Sequence, residues 1–417
     1  MRKGLLATIL VALVGAGAAW GQDGPMVLCP NASPQVSQSC VWGNAEYLLW
    51  WVRGNPLTAP LVTTSSDPLA TSATGYNVSA GLGVPGTSVL LGGPINYSAL
   101  SGARFTLGGW LDNDATIGIE GRGFFMGQST ASRTYRGDAA GNPILAVPLN
   151  NTAGDNPVTG IGGGENAFAA SFPGGLVFGS ITVSSQLRLW GTEANGVFNV
   201  VRDECRSVDL LLGFRYADLR ENLSVNTQTS NDPINNPGGL TFLNAAVPGT
   251  ITTSDSFQVR NQFYGGQVGV RATQAFGDFF VTGSAKVALG STHQVSEISG
   301  SSSYFAPGGG VMTAPGGILA LSSNSGTQTR NAFSVIPEVE AKLGYNFTSR
   351  MSGFVGYNFM YWSNVARAGQ QFDHNVDVRQ IPSLPGYDPT VRTTPSAQIN
   401  SSGFWAQGVT FGLLFKF

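Results

Sequence analysis

The chain closes on GFWAQGVTFGLLFKF, Gly403 to Phe417, and this stretch alternates in steps of two. Trp405, Val409, Phe411, Leu413, Phe415 and Phe417 fall on one face, and Ala406, Gly408, Thr410, Gly412 and Lys416 on the other. A period of two belongs to a strand. An aromatic strand end is a hazard in water, because termini fray and exposed edges pair with other chains. The pattern therefore calls for apolar surroundings on its aromatic face.

The same alternation recurs upstream. Phe333, Val335, Val339, Ala341, Leu343, Tyr345 and Phe347 alternate with Ser334, Glu338, Glu340, Lys342, Gly344 and Asn346. A tight turn at Thr348–Arg350 leads into Ser352–Trp362, with Val355, Tyr357, Phe359 and Tyr361 on one face, so the two segments read as a hairpin. Arg104–Leu111 turns at Asp112–Asp114 into a strand with Ile117, Ile119 and Phe125. Gln186–Val201 turns at Arg202–Cys205 into Val208–Tyr216, and Tyr264–Val270 turns at Gly277–Asp278 into Phe279–Leu289. With Ala45–Arg53 and the terminal strand this predicts about ten strands, and eight to fourteen stay open.

Between the hairpins lie stretches rich in Gly, Pro, Ser, Thr and Asn, roughly 54–101, 128–183, 221–256, 291–331 and 364–402. A compact soluble domain rarely carries five structureless loops of that length. Short turns on one side and long loops on the other fit an all-β fold, a transmembrane antiparallel up-and-down β-barrel with periplasmic turns and extracellular loops. Closure also pairs every backbone N–H and C=O internally, which lipid requires. Phe417 would then sit at the bilayer interface. The ending also resembles the terminal strand of bacterial outer-membrane barrels generally, and that resemblance implies an insertion signal at Phe415 and Phe417 read by the outer-membrane insertion machinery.

Composition supports this reading. Of 417 residues, 11% are charged, 57 are Gly and 42% are hydrophobic, so there is apolar surface to place and little charge to cover it. A net charge of −2 gives no footprint for nucleic acid. Arg2 and Lys3 followed by the apolar run Gly4–Val14 and small residues to Ala19 predict a signal peptide over 1–21, a periplasmic segment over 22–43 and the barrel over 44–417. No later stretch is long and apolar enough for a transmembrane helix. Cys29 and Cys40 could close a small disulfide loop, leaving Cys205 over, with the pairing open.

Several ordered words carry a resemblance: NAEYLLWW at Asn44–Trp51, APLVTT at Ala59–Thr64, LLGFRYADLRENL at Leu211–Leu223, NQFYGGQVGVR at Asn261–Arg271 and GYNFMYWSNVARAGQQFD at Gly356–Asp373. Together they resemble the β-barrel porin family numbered seven among the predicted porins, from about Asn44 to the end. Ala368 departs from the Pro expected between Arg367 and Gly369, in a loop turn. The resemblance implies a bacterial outer-membrane location and a barrel, with small-solute or ion passage as the family-level expectation and no assigned catalytic residue.

With the apolar face turned to lipid, Arg104, Glu120, Arg122, Asp209, Arg215, Arg271, Lys286, Glu338, Glu340, Lys342 and Lys416 face the lumen. Such charges either line a selective pore or pair into a plug, and for about ten strands the plug is favoured. Glu338 and Glu340 need cations nearby, for which Arg271, Lys286 and Lys416 are candidates. A structural or adhesin-like barrel acting through its loops is the alternative to a porin. No enzyme is expected. Asp373, His374 and Asp377, or His293 near Ser291, are the nearest to a catalytic set, and no Ser stands in a G-x-S-x-G frame. The Gly runs at 160–164 and 308–310 lack the Lys and helix of a phosphate loop. No cofactor or metal is expected, and the partners expected are the outer-membrane bilayer and the insertion machinery.

Overall fold

Alternation becomes a closed ring. The computed structural model describes residues 41–174, 177–231 and 239–417. Ten antiparallel strands form the wall: β1 (Val41–Val52), β2 (Leu100–Trp110), β3 (Ile117–Met126), β4 (Phe178–Arg202), β5 (Arg206–Ser230), β6 (Thr250–Phe276), β7 (Phe279–Phe305), β8 (Gly326–Asn346), β9 (Met351–Ala366) and β10 (Ser401–Lys416). Each pairs with the next, and β10 returns to β1 with Phe411 opposite Tyr47. Among the described residues every wall strand has a neighbour on both sides, as a lipid-facing sheet requires, although β8 above Glu338 is laddered to β7 alone. The four short turns lie where the alternation placed them.

Strand β1 begins at Val41, so Val41–Gly43 belong to the wall rather than to a periplasmic segment. The predicted signal peptide, the rest of the 22–43 segment and the Cys29–Cys40 pair lie outside the described residues. Cys205 is disulfide-bonded, which corrects the expectation that it is left over.

The loops differ from the sequence expectation. Strands β4 and β5 have 25 residues each and β6 and β7 have 27, against 12, 11 and 10 in β1, β2 and β3. About ten residues cross a membrane as a tilted strand, so β4–β7 rise well beyond it and take in residues 178–183, 221–230, 250–256 and 291–305 of the stretches expected as loops. The cause lies in the pattern's phase. Along β5, Leu210, Leu212 and Phe214 point to lipid, whereas Leu219, Leu223 and Val225 are buried inside. Above the membrane the outer face meets water and the inner face meets protein, so apolar positions move from even to odd numbers.

What those inner faces meet is a folded lid. The segments Val62–Ser65, Thr87–Leu91, Leu145–Asn151, Gly164–Ser171 and Asn375–Val376 form a second sheet. Leu61, Val147, Leu149, Ile318, Leu319, Phe372 and Ile381 from the loops pack with Ile181, Leu223, Val225, Phe257 and Ile298 of the tall wall in one buried core. The expectation of five structureless loops is therefore corrected: burial of their scattered apolar residues against the wall orders them.

Candidate functional site

Below the lid the lumen is filled in two layers. The upper one is apolar: Leu48 and Trp50 of β1, Phe124 of β3, Leu189 of β4, Phe263 of β6, Met360 and Trp362 of β9 and Phe404 of β10 pack together. Trp362 donates its indole N–H to Thr292 Oγ1 at 3.0 Å, so the ring is held as well as packed.

The lower layer is charged. Arg104 donates to both Glu46 and Glu340. Arg122 lies 3.0 Å from Glu340 and 3.5 Å from Glu193. Glu338 receives Arg215 at 2.6 Å and Asn358 Nδ2 at 2.9 Å, with Lys286 at 3.9 Å. Lys286 bonds Glu193 at 2.5 Å, and Lys342 bridges Glu46 at 3.1 Å and Glu340 at 3.4 Å. Nearer the short turns, Arg271 joins Glu120 at 2.7 Å to Asp209 at 3.1 Å, and Trp42 donates to Glu120 at 3.1 Å.

All the residues expected in the lumen except Lys416 thus meet in ion pairs, and Lys416 makes none among the described residues. Of the cations expected for Glu338 and Glu340, Lys286 serves Glu338, while Arg271 serves Glu120 and Asp209 instead. Sequence reasoning missed Glu46 and Glu193. Glu46 lies in NAEYLLWW, where both faces are apolar and hide the period; its even phase with Leu48 and Trp50 was the available signal. Glu193 shares its phase with Leu187 and Leu189, both buried.

Glu46, Glu120, Glu193, Asp209, Glu338 and Glu340 face Arg104, Arg122, Arg215, Arg271, Lys286 and Lys342, so the network is formally neutral. A void lined by Trp50, Arg104, Arg215 and Glu338 measures about 10 Å³, near the minimum for one water.

The other candidates are dispersed. His374 Nε2 meets Glu165 at 2.9 Å, Asp377 pairs with Arg379 at 2.6 Å, and Asp373 accepts from Asn375 at 3.0 Å. His293 Nδ1 meets Asn331 at 2.8 Å. Phe415 and Phe417 lie on the outer face at the seam, where Phe417 N–H donates to Val41 O at 2.9 Å.

Residues 42–417 match the family described as "Putative beta barrel porin-7". The chain belongs to that family. Its location is the bacterial outer membrane. Among curated proteins none matches the sequence. Solved structures similar to the chain include the outer membrane protease OmpT of Escherichia coli, at 9% identity and TM-score 0.40 over 90% of this chain and 96% of that one. A major outer membrane protein of Thermus thermophilus is similar at 9% identity and TM-score 0.25, over 90% and 99%. The attachment invasion locus protein Ail of Yersinia pestis is similar at 7% identity and TM-score 0.20, over 89% and 97%.

Proposed function

We propose that the protein is a closed, non-catalytic outer-membrane barrel that passes neither ions nor solutes at rest and acts at the cell surface through its folded lid. The observation that carries this reading is the neutral network of buried ion pairs beneath an apolar layer. An ion crossing the lumen would have to part paired charges and then enter an apolar plug, and both steps are unfavourable. The separate pairings of His374, Asp377 and His293 support the non-catalytic part. Recognition from ordered loops on a rigid barrel fits the adhesin-like alternative better than flexible loops would.

Purified protein in planar bilayers tests it. Silence over long recordings is the expected result, and robust multi-state conductance from the wild type overturns it. The family's porin description favours a second reading, passage through a gated lumen. Under that reading, Glu338→Gln with Glu340→Gln shifts the reversal potential towards anions.

A further inference from the structure

On the outer wall, the register sets Arg188 of β4 opposite Arg220 of β5, and Arg220 opposite Arg260 of β6. Like charges directly across a sheet destabilise it. One carboxylate, Asp218, serves two of them, at 3.1 Å from Arg220 and 2.7 Å from Arg260. Arg188 has no ion pair among the described residues. The three side chains line a groove of about 360 Å³ with Gln128, Gln186 and Gln258. Glu221, at the same groove, is already paired with Arg367 on the inner side. Glu297 also lines it and pairs with none of the three arginines among the described residues, so even counting Glu297 one positive charge is left over.

The groove's height on the wall identifies its occupant. Directly below it Trp190, Tyr216 and Tyr264 stack, with centroids 5.0 and 5.1 Å apart, and exposed Phe214, Leu212 and Leu210 continue downward. Such aromatics mark the membrane interface in barrels. Arg220 stands four residues above Tyr216, about 13 Å along the strand at roughly 3.3 Å per residue. That is the level of lipid headgroups.

We propose that Arg188, Arg220 and Arg260 bind the phosphate-bearing headgroup of an outer-leaflet lipid. Guanidinium forks match phosphate oxygens in pairs, the glutamine amides can donate to the remaining oxygens, and the acyl chains lie along Tyr216 and Phe214. The anion removes the repulsion that Asp218 only partly offsets. This site is independent of whether the lumen conducts.

Heat unfolding of the full chain in a neutral maltoside detergent tests it, with titration by diphosphoryl lipid A, by inorganic phosphate and by an uncharged glucosyl diglyceride. Lipid A is expected to raise the unfolding temperature by several degrees, with the other two giving less than half that shift. Arg188→Gln and Arg188→Gln/Arg220→Gln are expected to lose at least half of the lipid A shift. The single variant keeps the test open should the double one not fold, because Arg188 leaves no partner behind. No lipid A shift in the wild type, or an equal shift in wild type and Arg188→Gln, overturns the proposal. A full shift with inorganic phosphate overturns the lipid assignment in favour of a free anion. A full shift with the uncharged lipid overturns the role of the arginines.

Discussion

Arg367 and Glu221 form a fully buried ion pair, Nη2 to Oε1 at 2.7 Å, across 146 positions of sequence. The pair ties the turn after β9 to the tall wall at β5. Arg367 also donates to Gly54 O at 3.0 Å, and Glu221 accepts Ala368 N–H at 3.2 Å. A proline at 368 would remove that last donor, so Ala368 suits this lid. Removing one partner leaves an uncompensated buried charge, and Glu221→Ala or Arg367→Ala is expected to cost about 3–5 kcal/mol. The double variant should cost less than the sum, measured by guanidinium unfolding with limited proteolysis of the 367–400 segment.

In the lumen, Glu340→Gln withdraws a carboxylate from Arg104, Arg122 and Lys342 together. A loss of about 3 kcal/mol or more is expected, seen as a lower unfolding midpoint in detergent. An unchanged midpoint would mean that these charges are solvated rather than paired in a plug.

Asp255, on the part of β6 above the membrane, accepts backbone N–H groups from Ile318, Leu319 and Ala320 at 2.9, 3.0 and 2.7 Å. A Cβ on Gly317 would stand 2.2 Å from its Oδ1, so glycine is needed there. Burial pushes the carboxyl up to about 6 from 3.8, against the lowering by those N–H groups. Because the folded value is the higher one, the protonated form stabilises the fold: the contribution is complete below about pH 4 and is lost as pH rises through about 6. Hydrogen exchange of residues 316–321 should therefore quicken from pH 4 to 6.5, after correction for intrinsic rates. Asp255→Asn should flatten that dependence.

Phe415 and Phe417 end the strand that closes the ring, and Phe417 is 73% exposed on the outer face. Deleting Phe417, or changing both residues to Ser, is expected to deplete the protein from the outer-membrane fraction. Equal yields for variant and parent would remove the insertion role.

A tag at Gly308–Gly309 has open space, since a Cβ on Gly308 meets nothing within 4 Å. Antibody should reach it on intact cells, and should reach a tag at Asn113 only after permeabilisation. The reverse pattern would invert the barrel.

The ten-strand count, the short turns and most lumen charges were legible because lipid imposes one rule along each strand, apolar out and polar in. The rule fails in three places for physical reasons. At Glu46 both faces are apolar, since the lumen there is packed with Leu48 and Trp50. Above the membrane the phase inverts, so Leu223 and Val225 read as scattered apolar residues in a polar loop. In the lid, Leu61, Val147 and Phe372 share no period, because their burial comes from distant segments.

The amino-acid sequence by itself pointed to an antiparallel outer-membrane barrel, because period-two alternation with an apolar outer face, repeated from hairpin to hairpin across tight turns, is a pattern written locally in each strand. Tertiary structure alone decided which charges meet, since Arg104 finds Glu340 and Arg367 finds Glu221 only after the ring closes and the loops fold inward. It also decided that the lumen is filled, because filling depends on how side chains from many strands and loops share one volume.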